Sequence, residues 1–253
     1  MTIAERHAYI LNQLNEKGYV RVADLADALS VSLVTIRKDL KILESRQLLF
    51  RSHGSASIRK SYANERPVEE KETIHALEKQ RIGQKAVELL QANEAIIIGS
   101  GTTALAFARG IPNELPLIVL TGAMNVSLAL MEKEKVELMQ LGGIVRKSAT
   151  SVVGPFAEEM LQHFACTQLF LGVDGISLDY GLTTSSLLEA HLNQRMIQAV
   201  EKTIVLCDSS KFSLRGFGKI GEVEDIDVII TDTGVATSTV TELEDRGVEV
   251  WVV

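Results

Sequence analysis

Four segments of the sequence carry residues that could bind an anionic, hydroxyl-rich ligand. They read IGSGTT, LGGIVRKSATSVVG, FLGVDGIS and LCDSSKF, and each overlaps or follows a short apolar run. Their polar side chains are hydroxyls, lysine, arginine and aspartate, with glycines beside them. Backbone N–H groups and cations suit a phosphate group, whereas carboxylates accept hydrogen bonds from sugar hydroxyls. These residue types predict a site for a phosphorylated polyol.

The IGSGTT segment illustrates the proposed chemistry. A glycine turn at the start of a helix directs backbone N–H groups and the positive end of the helix dipole toward an anion. With Glu189 from the helical stretch GLTTSSLLEAHL, the segments give these candidate effector-binding residues: Ser100, Gly101, Thr102, Thr103, Gly142, Gly143, Arg146, Lys147, Asp174, Glu189 and Lys211. Structural alternatives stay open: Asp174 as a turn cap, Lys211 in a surface ion pair, and Glu189 as a solvated helix residue.

A second group of candidates lies on one predicted helix, VSLVTIRKDL at residues 31–40. Ile36, Leu40 and Leu43 recur with helical spacing and are predicted to face a core. The opposite, basic face suits the major groove of double-stranded DNA, because arginine bridges guanine edges while lysine and hydroxyl groups hold phosphates. With two residues of a following hairpin as backbone clamps, the candidate DNA-binding residues are Ser32, Thr35, Arg37, Lys38, Lys41, Arg51 and His53. The alternative is a solvated basic helix.

The distribution of charge favours DNA binding by the N-terminal end. The 253 residues carry a net charge of −7. The first 60 hold ten Lys and Arg against six Asp and Glu, which leaves +4, whereas the other 193 carry −11. A basic head on an acidic body is expected when only one end of a chain meets phosphate.

The elements that must position the basic face form a small N-terminal domain. Periodicity predicts helices over about 3–16, 23–29 and 32–46, with Ser32 placed to cap the third. A short strand at 19–22 and a hairpin over 48–58 complete a winged helix-turn-helix. The polar stretch 59–73 is predicted to be a linker, so the expected division is 1–58, 59–73 and 74–253.

The anion-binding segments lie in the second domain, where short apolar runs alternate with helical stretches. The runs are 95–98, 117–120, 136–141, 168–171, 203–206, 228–230 and 248–253. Continuously apolar, β-branched runs separated by helices predict a mostly parallel sheet covered on both faces. The fold class is therefore α/β, and the polar segments fall at strand carboxyl ends, where open α/β sheets bind ligands.

Composition favours a cytoplasmic protein that needs no metal, cofactor or disulfide. No apolar run approaches the 18 residues of a membrane span, and the N-terminus lacks the apolar stretch of a signal peptide. Cys166 and Cys207 lack metal-ligand spacing and are interpreted as reduced, mostly buried thiols.

Over nearly its whole length the sequence resembles the DeoR-type family of bacterial sugar-metabolism transcription regulators. The family's head shows R…I…L…G, V-S-x-x-T-I-R-x-D-L and L-x-R-x-H-G-G-A, and this chain has Arg6, Ile10, Leu14 and Gly18, then VSLVTIRKDL and LLFRSHGSA. Ser100–Thr103 match the family's S-G-T-T loop, Asp174 its G-x-D-G-I turn and Lys211 its D-x-S-K-F stretch. Stretches such as MNVSLAL and VELMQLGG are most similar to the amino-sugar and galactitol branch.

The resemblance implies a body similar to ribose-phosphate isomerases, glucosamine-phosphate deaminases and CoA transferases that binds a sugar-phosphate effector. Four positions depart from the family pattern. Ser55 stands at the second wing glycine, Lys38 where Arg is common, Gly99 where Asp precedes S-G-T-T, and Gly122 where T-N is common. Gly99 removes a possible hydroxyl acceptor, and Ser55 would strain the wing if its φ had to be positive.

The main alternatives are a repressor of a sugar-utilisation operon and a sugar-phosphate isomerase or deaminase-like enzyme with a DNA-binding head. The residues do not separate a repressor from an activator, and the family resemblance favours a repressor. Related isomerases bring a second aspartate just before the G-x-D turn and a glycine-rich stretch with Lys and Glu. This chain has Leu169-Phe170-Leu171 and GLTTSSLLEAHL instead. We therefore expect a sensor and no enzyme. The expected partners are operator DNA, a sugar phosphate and further copies of the chain in a dimer or tetramer, without a membrane.

Overall fold

The chain forms two compact units, and each has a hydrophobic core of its own. The computed structural model describes residues 2–17, 19–45, 48–52, 54–58 and 67–253. Contacts divide the chain into Met1–Asn64 and Glu65–Val253. The division falls inside the stretch 59–73 that the sequence predicts to be a linker.

The first unit contains three helices and a small antiparallel sheet, as the sequence predicts. Its elements in order are α1 (Ile3–Lys17), β1 (Tyr19–Arg21), α2 (Val22–Leu29), α3 (Leu33–Ser45), β2 (Leu49–Ser52) and β3 (Ser55–Ile58). The strand order is β1-β3-β2, so the predicted hairpin gains β1 as a third strand. Ile10, Leu14, Ile36, Leu40 and Leu43 are almost completely buried in its core.

A buried charged cluster joins α1 to α3. Asp39 Oδ2 accepts a hydrogen bond from Arg6 Nε at 2.5 Å, and Asp39 Oδ1 accepts one from Arg6 Nη2 at 3.0 Å. His7 Nε2 lies 3.2 Å from the same Oδ1. Burial alone would raise the pKa of Asp39, but the hydrogen bonds and charge of Arg6, with a contribution from His7, hold that pKa below its ordinary value. Asp39 is therefore a structural carboxylate of α3.

The second unit is built mainly from parallel strands and the helices that cover them. Its helices are α4 (Val68–Thr73), α5 (Ala76–Val87), α6 (Thr102–Gly110), α7 (Met124–Leu130), α8 (Pro155–Leu161), α9 (Leu187–Gln198) and α10 (Thr237–Asp245). Its strands are β4 (Glu94–Ile98), β5 (Leu117–Thr121), β6 (Val136–Gln140), β7 (Ile144–Arg146), β8 (Ser151–Val153), β9 (Cys166–Gly172), β10 (Gly175–Ser177), β11 (Gly181–Thr184), β12 (Val200–Leu206), β13 (Gly218–Gly221), β14 (Val228–Thr231) and β15 (Glu249–Val252).

Seven of these strands form one parallel sheet in the order β15-β14-β12-β9-β4-β5-β6. They correspond to the seven apolar runs of the sequence, which confirms the predicted α/β class. The strand order reverses between β4 and β9, where one half of the sheet grows in each direction. Such a switch point leaves a crevice at the carboxyl ends of the two central strands.

Both faces of the sheet are covered, which explains the continuous apolar runs in its inner strands. Ile96 and Ile98 pack with α5, α6 and α7 on one face, whereas Ile97 packs with α8, α9 and α10 on the other. The rings of Phe107 and Phe170 stack with centroids 4.2 Å apart. Cys166 and Cys207 are buried free thiols.

Three features of the second unit were not predicted. Residues 68–73 form α4, whose Val68 is buried. Strands β7 and β8 form a hairpin, and β10, β11 and β13 form a small antiparallel sheet. Each of these elements is three to six residues long, too short for hydrophobic periodicity to reveal it.

Candidate functional site

Helix α3 presents the basic face that the sequence predicts. Arg37, Lys38 and Lys41 are exposed, whereas Ile36 and Leu40 are buried. Three positive charges therefore lie within five residues on the solvent side of one helix. Such a surface attracts the phosphates of DNA and releases their counterions.

Ser32 fixes the start of this helix. Its Oγ accepts a hydrogen bond from Thr35 N at 3.1 Å, and the two hydroxyl oxygens are 2.9 Å apart. This is the capping role that the sequence predicts for Ser32. Both residues lie at the N-terminal turn of α3, where contact with DNA stays a prediction.

The two hairpin residues predicted to clamp the DNA backbone have different outcomes. Arg51 is exposed, but its Nε donates to Glu44 Oε2 at 2.7 Å, so a phosphate would have to displace that carboxylate. His53 lies outside the described residues. The left-handed wing position is Gly54, with φ of 77°, while Ser55 is an ordinary residue of β3. The serine at position 55 therefore causes no strain.

The loops that follow β4 and β9 meet closely at the switch point. Ile98 and Phe170 are paired near the ends of these strands. Gly101 has φ of 115°, which side chains rarely allow. A Cβ at Gly172 would lie 2.8 Å from the carbonyl oxygen of Ser100. Glycine is thus required on both sides of this approach, which places the predicted S-G-T-T loop against the end of β9.

Glu189 of α9 lies at the centre of a polar network in this crevice. Ser100 Oγ donates to its Oε1 at 2.6 Å, and Thr184 Oγ1 donates to its Oε2. Arg146 Nη1 lies 2.7 Å from the same Oε2, and both side chains of this ion pair are nearly buried. The structure thereby brings together Ser100, Arg146 and Glu189, which the sequence places in three separate segments.

Asp174 continues the network toward α4. Its Oδ1 accepts from Lys71 Nζ at 2.9 Å, and its Oδ2 accepts from Ser185 N at 3.0 Å. Thr184 Oγ1, which donates to Glu189, lies 3.2 Å from the same Oδ2. Burial alone would raise the pKa of Asp174, but the charge and hydrogen bond of Lys71, with the charge of Lys211, hold it well below its usual range. Asp174 is therefore ionised at neutral pH.

Strand register brings a second carboxylate beside it. Gly172 pairs with Leu206, so Asp174 and Asp208 each lie two residues beyond paired strand ends. Asp208 is almost fully buried, and Lys211 Nζ lies 3.7 Å from its Oδ2. Burial would raise the pKa of Asp208, but the charge of Lys211 and the hydrogen bond from Ser210 keep it below its ordinary value. Lys211 thus lies in the crevice beside an ionised carboxylate.

Other predicted residues lie outside this network or serve as support. Gly142 and Gly143 are exposed and approach Met160 of α8 and Val153 of β8. Lys147 is exposed in the turn Lys147–Ala149 between β7 and β8. These residues shape the hairpin that carries Arg146. Thr102 and Thr103 are buried in the first turn of α6.

A small depression beside Glu189 is lined in part by residues that the sequence did not predict. Its lining includes Ser100, Gly122, Ser151 and Asn193. Ser151 Oγ is buried, and the described residues offer it no hydrogen-bond partner. Ser151 lies in the basic segment already singled out in the sequence, but Asn193 lies mid-helix and gave no signal.

Comparison with known proteins settles the family. Residues 6–62 match the DeoR-like helix-turn-helix domain, and residues 74–233 match the DeoR C terminal sensor domain. The chain belongs to the DeoR family. Its family resemblance, predicted from sequence motifs, is thereby confirmed.

Relatives of this DeoR-family chain cover nearly its whole length. It is 40% identical over 249 residues to a candidate aga operon transcriptional repressor of Escherichia coli O157:H7, which covers 98% of this chain and 93% of that protein. It is 28% identical over 249 residues to the glycerol-3-phosphate regulon repressor of Escherichia coli K12, covering 98% of each. Among solved structures, ribose 5-phosphate isomerase A from Methanocaldococcus jannaschii has a TM-score of 0.42 and 19% identity, covering 55% of each chain.

The DeoR-family chain is a DNA-binding transcription regulator. No helix among the described residues is long and apolar enough to cross a membrane. The described residues also contain no group of three or more His, Cys, Asp or Glu side chains that could hold a metal ion.

Proposed function

We propose that this DeoR-family regulator represses a sugar-utilisation operon and that a phosphorylated sugar, bound in the switch-point crevice, releases it from operator DNA. The observation that carries the proposal is the continuous polar network at the strand ends. It runs from Lys71 through Asp174, Thr184 and Glu189 to Arg146. Network and crevice coincide with the region where open α/β sheets bind ligands.

The chemistry of the network suits a sugar phosphate. Lys211 and Arg146 supply cations for phosphate oxygens, while Asp174 and Asp208 are ionised carboxylates that accept hydrogen bonds from sugar hydroxyls. Ser100, beside the first turn of α6, adds a hydroxyl at a helix N-terminus. The names of the relatives, an aga operon repressor and a glycerol-3-phosphate regulon repressor, support a phosphorylated carbohydrate or polyol.

Sensing is favoured over catalysis. A sugar-phosphate isomerase needs a carboxylate poised to take a proton next to a carbonyl group. Glu189 instead accepts from two hydroxyls and pairs with Arg146, and Asp174 pairs with Lys71. Both carboxylates are thus engaged as acceptors in the structure, which favours binding over proton transfer.

In the proposed mechanism, two or more copies of the chain place their heads on operator half-sites. Ser32, Thr35, Arg37, Lys38 and Lys41 of each head contact DNA. The sugar phosphate weakens operator binding only as far as it prefers the state with lower DNA affinity.

A thermal-shift screen of the full chain tests the ligand class. The panel contains hexose phosphates, amino-sugar phosphates, tagatose phosphates and polyol phosphates, each beside its unphosphorylated form. We expect a phosphorylated member to raise the unfolding temperature, because a ligand that binds only the folded state stabilises it. If no phosphorylated member does so, or if one is steadily turned over, the proposed function is wrong.

A further inference from the structure

We infer that Lys71, on helix α4, binds the anionic group of the effector, so that the segment leading from the DNA-binding head contributes to the effector site. This inference rests on the proposed function. It extends the site to a residue outside the four strand-end segments.

Three lysines converge on the two aspartates of the crevice. Lys71 Nζ lies 2.9 Å from Asp174 Oδ1, and Lys211 Nζ lies 3.7 Å from Asp208 Oδ2. Lys79 is almost fully buried, and its Nζ donates to the carbonyl oxygens of Lys71 and Ile74, each at 2.5 Å. Three ammonium groups therefore lie close to one another, and the carboxylates that oppose them are Asp174, Asp208 and Glu72.

The neighbouring lysines affect the pKa of Lys79. Its pKa is lowered to about 8, first by burial and then by the charges of Lys211 and Lys71, while Asp208 and Glu72 oppose the shift. A phosphate group bound among the three ammonium groups would reduce the repulsion of Lys79 by Lys211 and Lys71. The convergence of the three lysines therefore favours an anion at this place.

The carboxylate of Asp208 favours a ligand that also carries a hydrogen-bond donor. Its Oδ1 accepts hydrogen bonds from Ser210, but its buried Oδ2 has no hydrogen-bond partner among the described residues. A buried acceptor without a donor costs free energy, so a ligand hydroxyl that donates to it would be favoured. A ligand with an anionic group and a nearby hydroxyl satisfies both the lysines and Asp208.

Lys71 can turn to such a ligand at little cost. Its side chain is about 30% exposed, on a flexible stem. Asp174 keeps the hydrogen bond from the backbone N–H of Ser185 if Lys71 leaves. Helix α4 is anchored by buried Val68 and by Lys79, and it follows directly on the residues that connect it with the head. A change at Lys71 is therefore a change at the start of the sensor domain.

The test measures binding of inorganic phosphate to the full chain by isothermal titration at constant ionic strength. Four proteins are compared: wild type, Lys71→Met, Lys71→Arg and the control Lys135→Met, which removes an exposed lysine paired with Glu114. We expect Lys71→Met to weaken phosphate binding about tenfold or more, the loss expected for one charge-assisted hydrogen bond. Lys71→Arg and Lys135→Met should bind as the wild type does. Unfolding temperatures without phosphate check that all four are folded.

Two results would overturn the inference: phosphate binding by Lys71→Met as tight as by Lys135→Met, or absence of phosphate binding by the wild type. Neither touches the proposed function, which depends on the sugar-phosphate screen. A fifth protein, Lys211→Ala, locates the site if Lys71→Met binds normally: loss of phosphate binding in Lys211→Ala alone would leave the strand-end site in place and remove Lys71 from it.

Discussion

The place of Glu189 in the polar network depends on contacts with residues of other elements. Its sequence context, a helix rich in polar residues, is compatible with a solvated side chain. In the structure its carboxylate contacts Ser100, Thr184 and Arg146, which come from three other parts of the chain. Sequence pattern can suggest that a residue type suits a site, but it cannot predict which partners converge on it.

Arg37 and Lys38 are the opposite case, because local geometry determines where they point. A turn of 100° per residue places them opposite Ile36 and Leu40, and the structure exposes them as expected. The contacts of Lys71 and Lys79 could not be predicted in this way. Lys71 donates to the carboxylate of Asp174, 103 residues away, and Lys79 donates to the carbonyl oxygen of Ile74, which lies before the helix that carries Lys79.

Arg37→Ala should weaken operator binding. If Arg37 bridges a guanine edge, its loss costs about 1–3 kcal/mol and relaxes the preference at one base pair. The change in DNA affinity is measured by fluorescence anisotropy, with a DNA duplex chosen from a random pool by its binding to the full-length protein. The control Arg195→Ala removes an exposed arginine from α9 and should bind DNA normally. Equal DNA affinity of the two variants would exclude Arg37 from the interface.

Helix α3 depends on a buried contact on the side opposite its exposed basic face. Asp39 holds α1 against α3 through Arg6 and His7. Helix α3 therefore combines a basic exposed face with a buried carboxylate on the opposite face.

Asp39→Asn should loosen the head, because it leaves buried donors without their charged acceptor. We expect a loss of about 1–3 kcal/mol in the free energy of opening of α1 and α3, measured by hydrogen exchange of their peptides in the full chain. Because the folded-state pKa of Asp39 is lowered, its contribution is fully present above its unfolded pKa of about 4 and is lost as pH falls through the folded value. Wild type and Asp39→Asn should thus converge in acid. Asp27→Asn, on the exposed side of α2, is the control, and an equal effect of both changes would refute this role.

Elements were predictable where their patterns are long or uniform. The inner strands of the parallel sheet contain continuous apolar runs because both faces of the sheet are covered. Hairpin β7–β8 escaped prediction because Ile144 and Val145 are exposed apolar residues in a three-residue strand. Helix α4 escaped because Val68 is its single buried apolar residue.

The two units of the chain differ in net charge and in architecture. A basic unit carries the exposed face of α3, and an acidic unit carries the crevice at the switch point. Charge asymmetry and family motifs were enough to predict this division. The arrangement of the lysines around Asp174 and Asp208 was not predictable, because it depends on the strand order and register of the folded sheet.

The central claim is that a sugar phosphate in the crevice controls DNA binding by the head. Its most direct test measures operator affinity by anisotropy, with and without the sugar phosphate that stabilises the full chain most, for wild type and Lys211→Ala. We predict that the sugar phosphate lowers wild-type affinity about tenfold or more, within the usual range of coupling between sites. Lys211→Ala should bind the operator normally and stay bound. Wild-type affinity that does not change at a saturating concentration of this sugar phosphate would contradict the account.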